Sequence, residues 1–145
     1  MEGMSVIVKK SAQVLMGIIL LYGIYIILHG HLSPGGGFAG GVIIAGAFIL
    51  LILANGSNAL NLKKEAAGSS STESAAILLV VILAIMAMLF GMKVFFFNFL
   101  PKGEPGALLS AGVIPLYNIF IGIEVAGAIL TIFLALVIFK EESSS

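Results

Sequence analysis

Two ionisable side chains, Glu124 and Lys93, lie inside long apolar runs, and they are the residues of this chain best suited to chemistry. A charge at the centre of a bilayer costs roughly 3 kcal/mol on insertion scales, so an intramembrane Glu or Lys ordinarily faces protein or water. Glu124 follows Ile121-Gly122-Ile123 and precedes Val125-Ala126-Gly127-Ala128. It is about eleven residues from either end of its apolar run, too deep for a short carboxylate to reach water. Lys93 lies roughly 10 Å from Leu100 along a helix, so its long stem reaches an interface as readily as a partner. The two spans run antiparallel, which puts Glu124 about 5 Å deeper than Lys93. Three arrangements are open: an ion pair whose proton affinity a movable cation can switch, a static pair holding helices together, and a snorkelling lysine. His29 and His31 add a third candidate, His31, which can relay protons at the mouth of a path or hydrogen-bond the carbonyls of a turn. With no cysteine in the chain and no acidic residue between His31 and Glu65, an H-x-H pair does not complete a coordination shell, and no metal site is expected.

The elements that position these groups are four apolar spans, at Ala12–Leu28, Gly37–Ala54, Ala75–Leu100 and Gly112–Phe139. Each approaches or exceeds the roughly 20 helical residues that match a hydrocarbon core about 30 Å thick. The fold class is therefore all-α, a single four-helix membrane domain over residues 1–145, with residues 55–74 read as an exposed loop rich in Asn, Ser, Gly and Lys. The first span follows Lys9-Lys10 but offers no small-x-small cleavage site, so it reads as a retained anchor. Between the first two spans, Pro34, Gly35, Gly36 and Gly37 form a demanding turn, with Ser33 a candidate cap for the helix that follows. Gly37, Gly41 and Ala45 recur at steps of four beside a parallel row of Gly36 and Gly40, the small-xxx-small pattern of close helix approach, and Gly17 and Gly122 offer further small contacts. In the last span Tyr117, Ile121, Glu124, Ala128 and Thr131 share one stripe with Gly127 beside it, and Asn118 follows Pro115, where a local break frees a carbonyl for water. Lys9, Lys10, Lys63, Lys64 and Lys140 fall on one side of the membrane and only Lys102 on the other. The positive-inside rule then puts both termini in the cytoplasm of a multi-pass plasma-membrane protein.

Composition excludes other classes. With 60% hydrophobic and 10% charged residues and a mean hydropathy of +1.20, the chain cannot hide its apolar surface in a soluble globule. A formal net charge of zero leaves no electrostatic footprint for nucleic acid. The absence of cysteine rules out disulfides and iron–sulfur ligation from this chain. No nucleophile, acid–base pair or cofactor motif points to an enzyme. The charged residues are all Lys and Glu, a usage that fits a thermophile. Two buried charges cannot by themselves make a transmembrane path, so other subunits must complete one.

The run His29-Gly30-His31-Leu32-Ser33-Pro34-Gly35-Gly36-Gly37-Phe38-Ala39-Gly40-Gly41 resembles the signature of the B subunit of Mrp-type multisubunit cation/proton antiporters. Residues 115–127, from Pro115 to Gly127, look like that family's final span, so the resemblance covers nearly the whole chain. It implies a four-helix accessory subunit that packs among other Mrp-like membrane subunits, serves exchange of Na+ or H+, and binds no redox cofactor. The same module occurs in archaeal membrane-bound hydrogenases and related reductases. Many bacterial members carry Lys where this chain has Glu124, and the Glu tilts the expectation toward an archaeal respiratory complex. The alternatives are a purely architectural subunit and an independent small transporter.

Overall fold

The structure, a computed structural model, describes residues 4–56, 62–89, 94–107 and 110–143. Four helices account for most of them: α1 (Val6–Leu28), α2 (Gly37–Asn55), α3 (Leu62–Leu89) and α4 (Ile114–Ser143). All four are long and apolar enough to cross a membrane. Ser5 caps α1, its hydroxyl accepting from the Val8 N–H at 3.5 Å. The turn after α1 is held on one carbonyl, that of His29, which accepts from the N–H of Leu32 and of Ser33 and from the Ser33 hydroxyl. Ser33 therefore closes the turn behind it rather than capping α2. Gly36 precedes that helix with a φ of 87°, open to glycine at little cost, and no side chain caps it.

The third helix departs most from expectation. Residues 62–74 are helical, and α3 ends at Leu89, so the segment 94–100 expected inside the span is irregular. The hydroxyls of Ser71, Thr72 and Ser74 donate to the carbonyls of Ala67, Gly68 and Ser70 at 2.8, 2.9 and 3.0 Å. Side chains that often compete with a helix are here bonded back onto it. Beyond α3, Asn98 fixes the entry to α4 by donating to the Ala111 carbonyl and accepting from the Val113 N–H, both at 2.9 Å.

The helices pack in the order α1–α2–α4–α3, as a layer whose two central members run parallel and whose outer members run antiparallel to their neighbours. Two glycine rows on α2 explain its central place. Gly37 and Gly41 lie against the backbones of Asn118 and Gly122 on α4, while Gly40 lies against Gly23 and Ile27 on α1. Ala45 and Ala47 are fully buried, so close approach of small residues supplies much of the core. Gly122 also packs against Ile27, whereas Gly17 faces open space. A larger apolar cluster forms at the end bearing the helix α4 C-terminus, where Leu134 and Val137 pack against Ile52 of α2 and Ala66 of α3.

Candidate functional site

Glu124 lies about a third of the way along α4, roughly 15 Å along the axis from the start of that helix. It is half-buried, and among the described residues it makes no hydrogen bond or ion pair. Its expected partner, Lys93, lies outside the described residues. Helical spacing puts Tyr117, Glu124, Ala128 and Thr131 on one face of the α-layer. The opposite face carries a groove of about 380 Å³ between α2, α3 and α4, lined by Ile44, Phe48, Glu65, Ser69, Thr72, Ala126 and Leu130 among others.

One turn beyond Glu124, Gly127 packs closely against the backbone of α3. A Cβ there would lie 3.2 Å from both the Ser69 carbonyl oxygen and the Glu73 nitrogen, and 3.3 Å from the Glu73 Cβ. The Gly127 carbonyl accepts from the Ser69 hydroxyl at 2.8 Å and from the Thr131 hydroxyl at 2.9 Å. This register brings a second acidic residue, Glu73, against the turn that follows Glu124, through its backbone and Cβ. Sequence reading missed it by assigning residues 55–74 to a loop. The signal was present: Ala66, Ser69, Glu73, Ala76 and Val80 recur at helical steps, and Ser69 and Ala76 are buried.

The other candidates gather at the end of the layer where α2 and α4 begin. Asn118 is wedged against the turn, and a Cβ on Gly30 would lie 2.9 Å from its Nδ2. His31 Nε2 sits 3.4 Å from the Ala107 carbonyl oxygen, while His29 Nδ1 is 3.1 Å from the Tyr25 carbonyl oxygen and its ring stacks on Tyr25 at 4.1 Å. Phe96 packs on Tyr117 with ring centroids 5.5 Å apart. His31 Nδ1, Tyr117 Oη and Asn118 Nδ2 are enclosed and lack a hydrogen-bond partner. Pro34 and Gly35 are exposed on the turn, whereas Gly36, Gly37, Gly40, Gly41 and Gly127 are buried. No group of three or more His, Asp or Glu converges among the described residues.

Residues 7–131 match the family described as a domain related to the MnhB subunit of Na+/H+ antiporter. A Staphylococcus haemolyticus protein named as antiporter subunit mnhB2 is 30% identical over 141 residues, covering 94% of this chain and 96% of its own. An uncharacterized protein of Methanocaldococcus jannaschii is 34% identical over 131 residues, 86% of this chain and 49% of its own length. In the solved structure of the membrane-bound sulfane sulfur reductase, an archaeal respiratory membrane complex, one chain superposes with a TM-score of 0.70 at 32% identity. That match covers 89% of this chain and 56% of the other. The chain thus spans about half the length of these two archaeal relatives.

Proposed function

The chain belongs to the family of domains related to the MnhB subunit of Na+/H+ antiporters, and on that premise we propose that it is a non-catalytic membrane subunit in which Glu124 takes part in moving Na+ or H+. The parent assembly is a multisubunit respiratory complex of the archaeal kind, with other Mrp-like subunits as neighbours and no redox cofactor in this chain. Both termini face the cytoplasm and the His29–Gly37 turn faces out.

The observation that carries this reading is a half-buried carboxylate within α4 without a protein partner among the described residues. Such a group is costly in a bilayer unless water, an ion or a neighbouring subunit reaches it. Glu73, brought to the next turn, adds a second acidic residue to the contact between α3 and α4. A mid-membrane seam that opens on a neighbour is where an accessory subunit contributes to exchange. The test is Glu124→Gln in the assembled complex, reconstituted in liposomes with ion-driven proton movement as readout. Exchange falls at least tenfold while the subunit composition stays intact. Full exchange in that variant would overturn the assignment and leave the bracing role, which the two glycine rows of α2 favour, as the function of the chain.

A further inference from the structure

The groove between α2, α3 and α4 is confined to one half of the membrane thickness. On α4 it runs from Ile123 to Leu134 and on α2 from Ile44 to Asn55, counting a smaller cavity of about 150 Å³ that continues it past Phe48, Glu65 and Leu130. Each stretch is about 16 Å of helix, against roughly 15 Å for one leaflet of a hydrocarbon core about 30 Å thick. Both begin near the middle of their apolar spans, Gly37–Asn55 and Ile114–Lys140, and run toward the C-terminal ends. Because α3 packs on α4 and barely touches α2, the space between them stays open.

The polar side chains along these walls are already bonded within the chain. The Ser69 hydroxyl donates to the Gly127 carbonyl at 2.8 Å, the Thr72 hydroxyl to the Gly68 carbonyl at 2.9 Å, and the Asn55 side-chain amide to the Leu51 carbonyl at 3.0 Å. Glu65 is exposed in the first turn of α3, at the membrane-surface end that the 3.1 Å pair of Lys63 with Glu142 marks.

We infer that this groove holds the hydrocarbon tail of a membrane lipid, which enters from the leaflet at the α4 C-terminal end and leaves its head group beside Glu65 and Lys63. Length, width and chemistry choose this occupant. A partner helix 10–12 Å across would displace roughly 1,200 Å³ over the same distance, about three times the 380 Å³ of the main groove. A polar segment would find its hydrogen-bonding needs unmet along walls whose hydroxyls and amide are engaged. Left empty, the walls forfeit dispersion contacts that a hydrocarbon chain restores. Both signs of charge meet the head group, so the groove selects the tail. The proposal is independent of the role assigned to Glu124.

The test uses the intact complex, reconstituted in phosphatidylcholine liposomes containing a fraction of phosphatidylcholine with a photoactivatable diazirine on its tail. The complex is extracted in mild detergent to strip loosely held lipid and then irradiated, and mass spectrometry reads which residues carry label. Ile44, Phe48 and Leu130 are expected to carry several-fold more label than Leu21 and Leu136, which are 72% and 64% exposed. Gly68 lines the groove and its Cβ position meets nothing within 4 Å, so Gly68→Leu fills the space from an open position. Gly17, equally open but on α1, is the matched control. Gly68→Leu is expected to lower the groove label several-fold, and Gly17→Leu to leave it unchanged. Label spread evenly over exposed residues, or groove label unaffected by Gly68→Leu, overturns the proposal. A photoreactive residue at position 68 should capture lipid; capture of a neighbouring subunit in its place also overturns the proposal.

Discussion

Gly41→Ala is the sharpest probe of the parallel contact between α2 and α4. The added Cβ would lie 2.6 Å from the Gly122 carbonyl oxygen and 2.8 Å from the Val125 Cβ, against an ordinary contact of 3.4 Å or more. The first neighbour is backbone, so no rotamer change relieves it, and the helices must part by about 0.8 Å to reach 3.4 Å from 2.6 Å. A gap of roughly 0.5–1 Å forfeits about a quarter to a half of the dispersion attraction across an interface. Gly37 makes its own contacts with Asn118 and Ile121 on the same seam, so the loss spreads beyond one position. Overpacking of this kind costs about 1–3 kcal/mol, roughly 5- to 150-fold in the folded-to-unfolded ratio. The assay is the thermal midpoint of the detergent-solubilised complex, followed by retention of the subunit in its size-exclusion peak. Gly46→Ala is the matched control, because nothing lies within 4 Å of its Cβ position. It should melt with the parent or slightly above it. A Gly41→Ala complex melting at the parent midpoint, or a Gly46→Ala complex losing as much, would refute the reasoning.

Other perturbations read other contacts. Ser69→Ala removes the side-chain donor from α3 to the Gly127 carbonyl, so the expected loss is near the membrane average of about 0.6 kcal/mol; pairing it with Thr131→Val removes the second hydroxyl but leaves the helical N–H of residue 131 on that carbonyl, so the two losses should roughly add, measured by thermal melting of the complex. Asn98→Ala strips two hydrogen bonds from the entry to α4, which should speed amide exchange of residues 111–113 by at least about tenfold with little change in the middle of α4. Because the chain contains no cysteine, single cysteines at Ser5 and Ser33 report topology directly. A membrane-impermeant maleimide applied outside cells should label the Ser33 position and spare Ser5; the reverse pattern overturns the orientation.

Much of this was legible in the residues because the bilayer makes apolar length a strong signal. The spans of α1, α2 and α4 follow from uninterrupted runs, and the steps of four among Gly37, Gly41 and Ala45 located the face that meets α4. The twofold use of α2 was half visible: the parallel row of Gly36 and Gly40 could be read, but not that Gly40 meets α1 while Gly41 meets α4. The start of α3 was hidden because Ser, Thr and Gly in sequence look like a loop. Their hydroxyls instead close onto preceding carbonyls, or, for Ser69, onto Gly127 of another helix. Glu73 became a site candidate only through that register. The unpartnered atoms of His31, Tyr117 and Asn118 are a property of packing among distant segments, which no local pattern announces.

The helix order has a consequence for synthesis. The third helix is the least apolar, with a mean hydropathy of 1.8 against 2.1 to 2.5 for the others, and it packs on the fourth while barely touching the second. The ribosome therefore releases α3 before its companion exists. Until α4 arrives and slides between its two predecessors, the polar flank of α3 must shelter against the insertion machinery or a subunit already in place, and biogenesis of this chain is tied to the company present when its last helix is made.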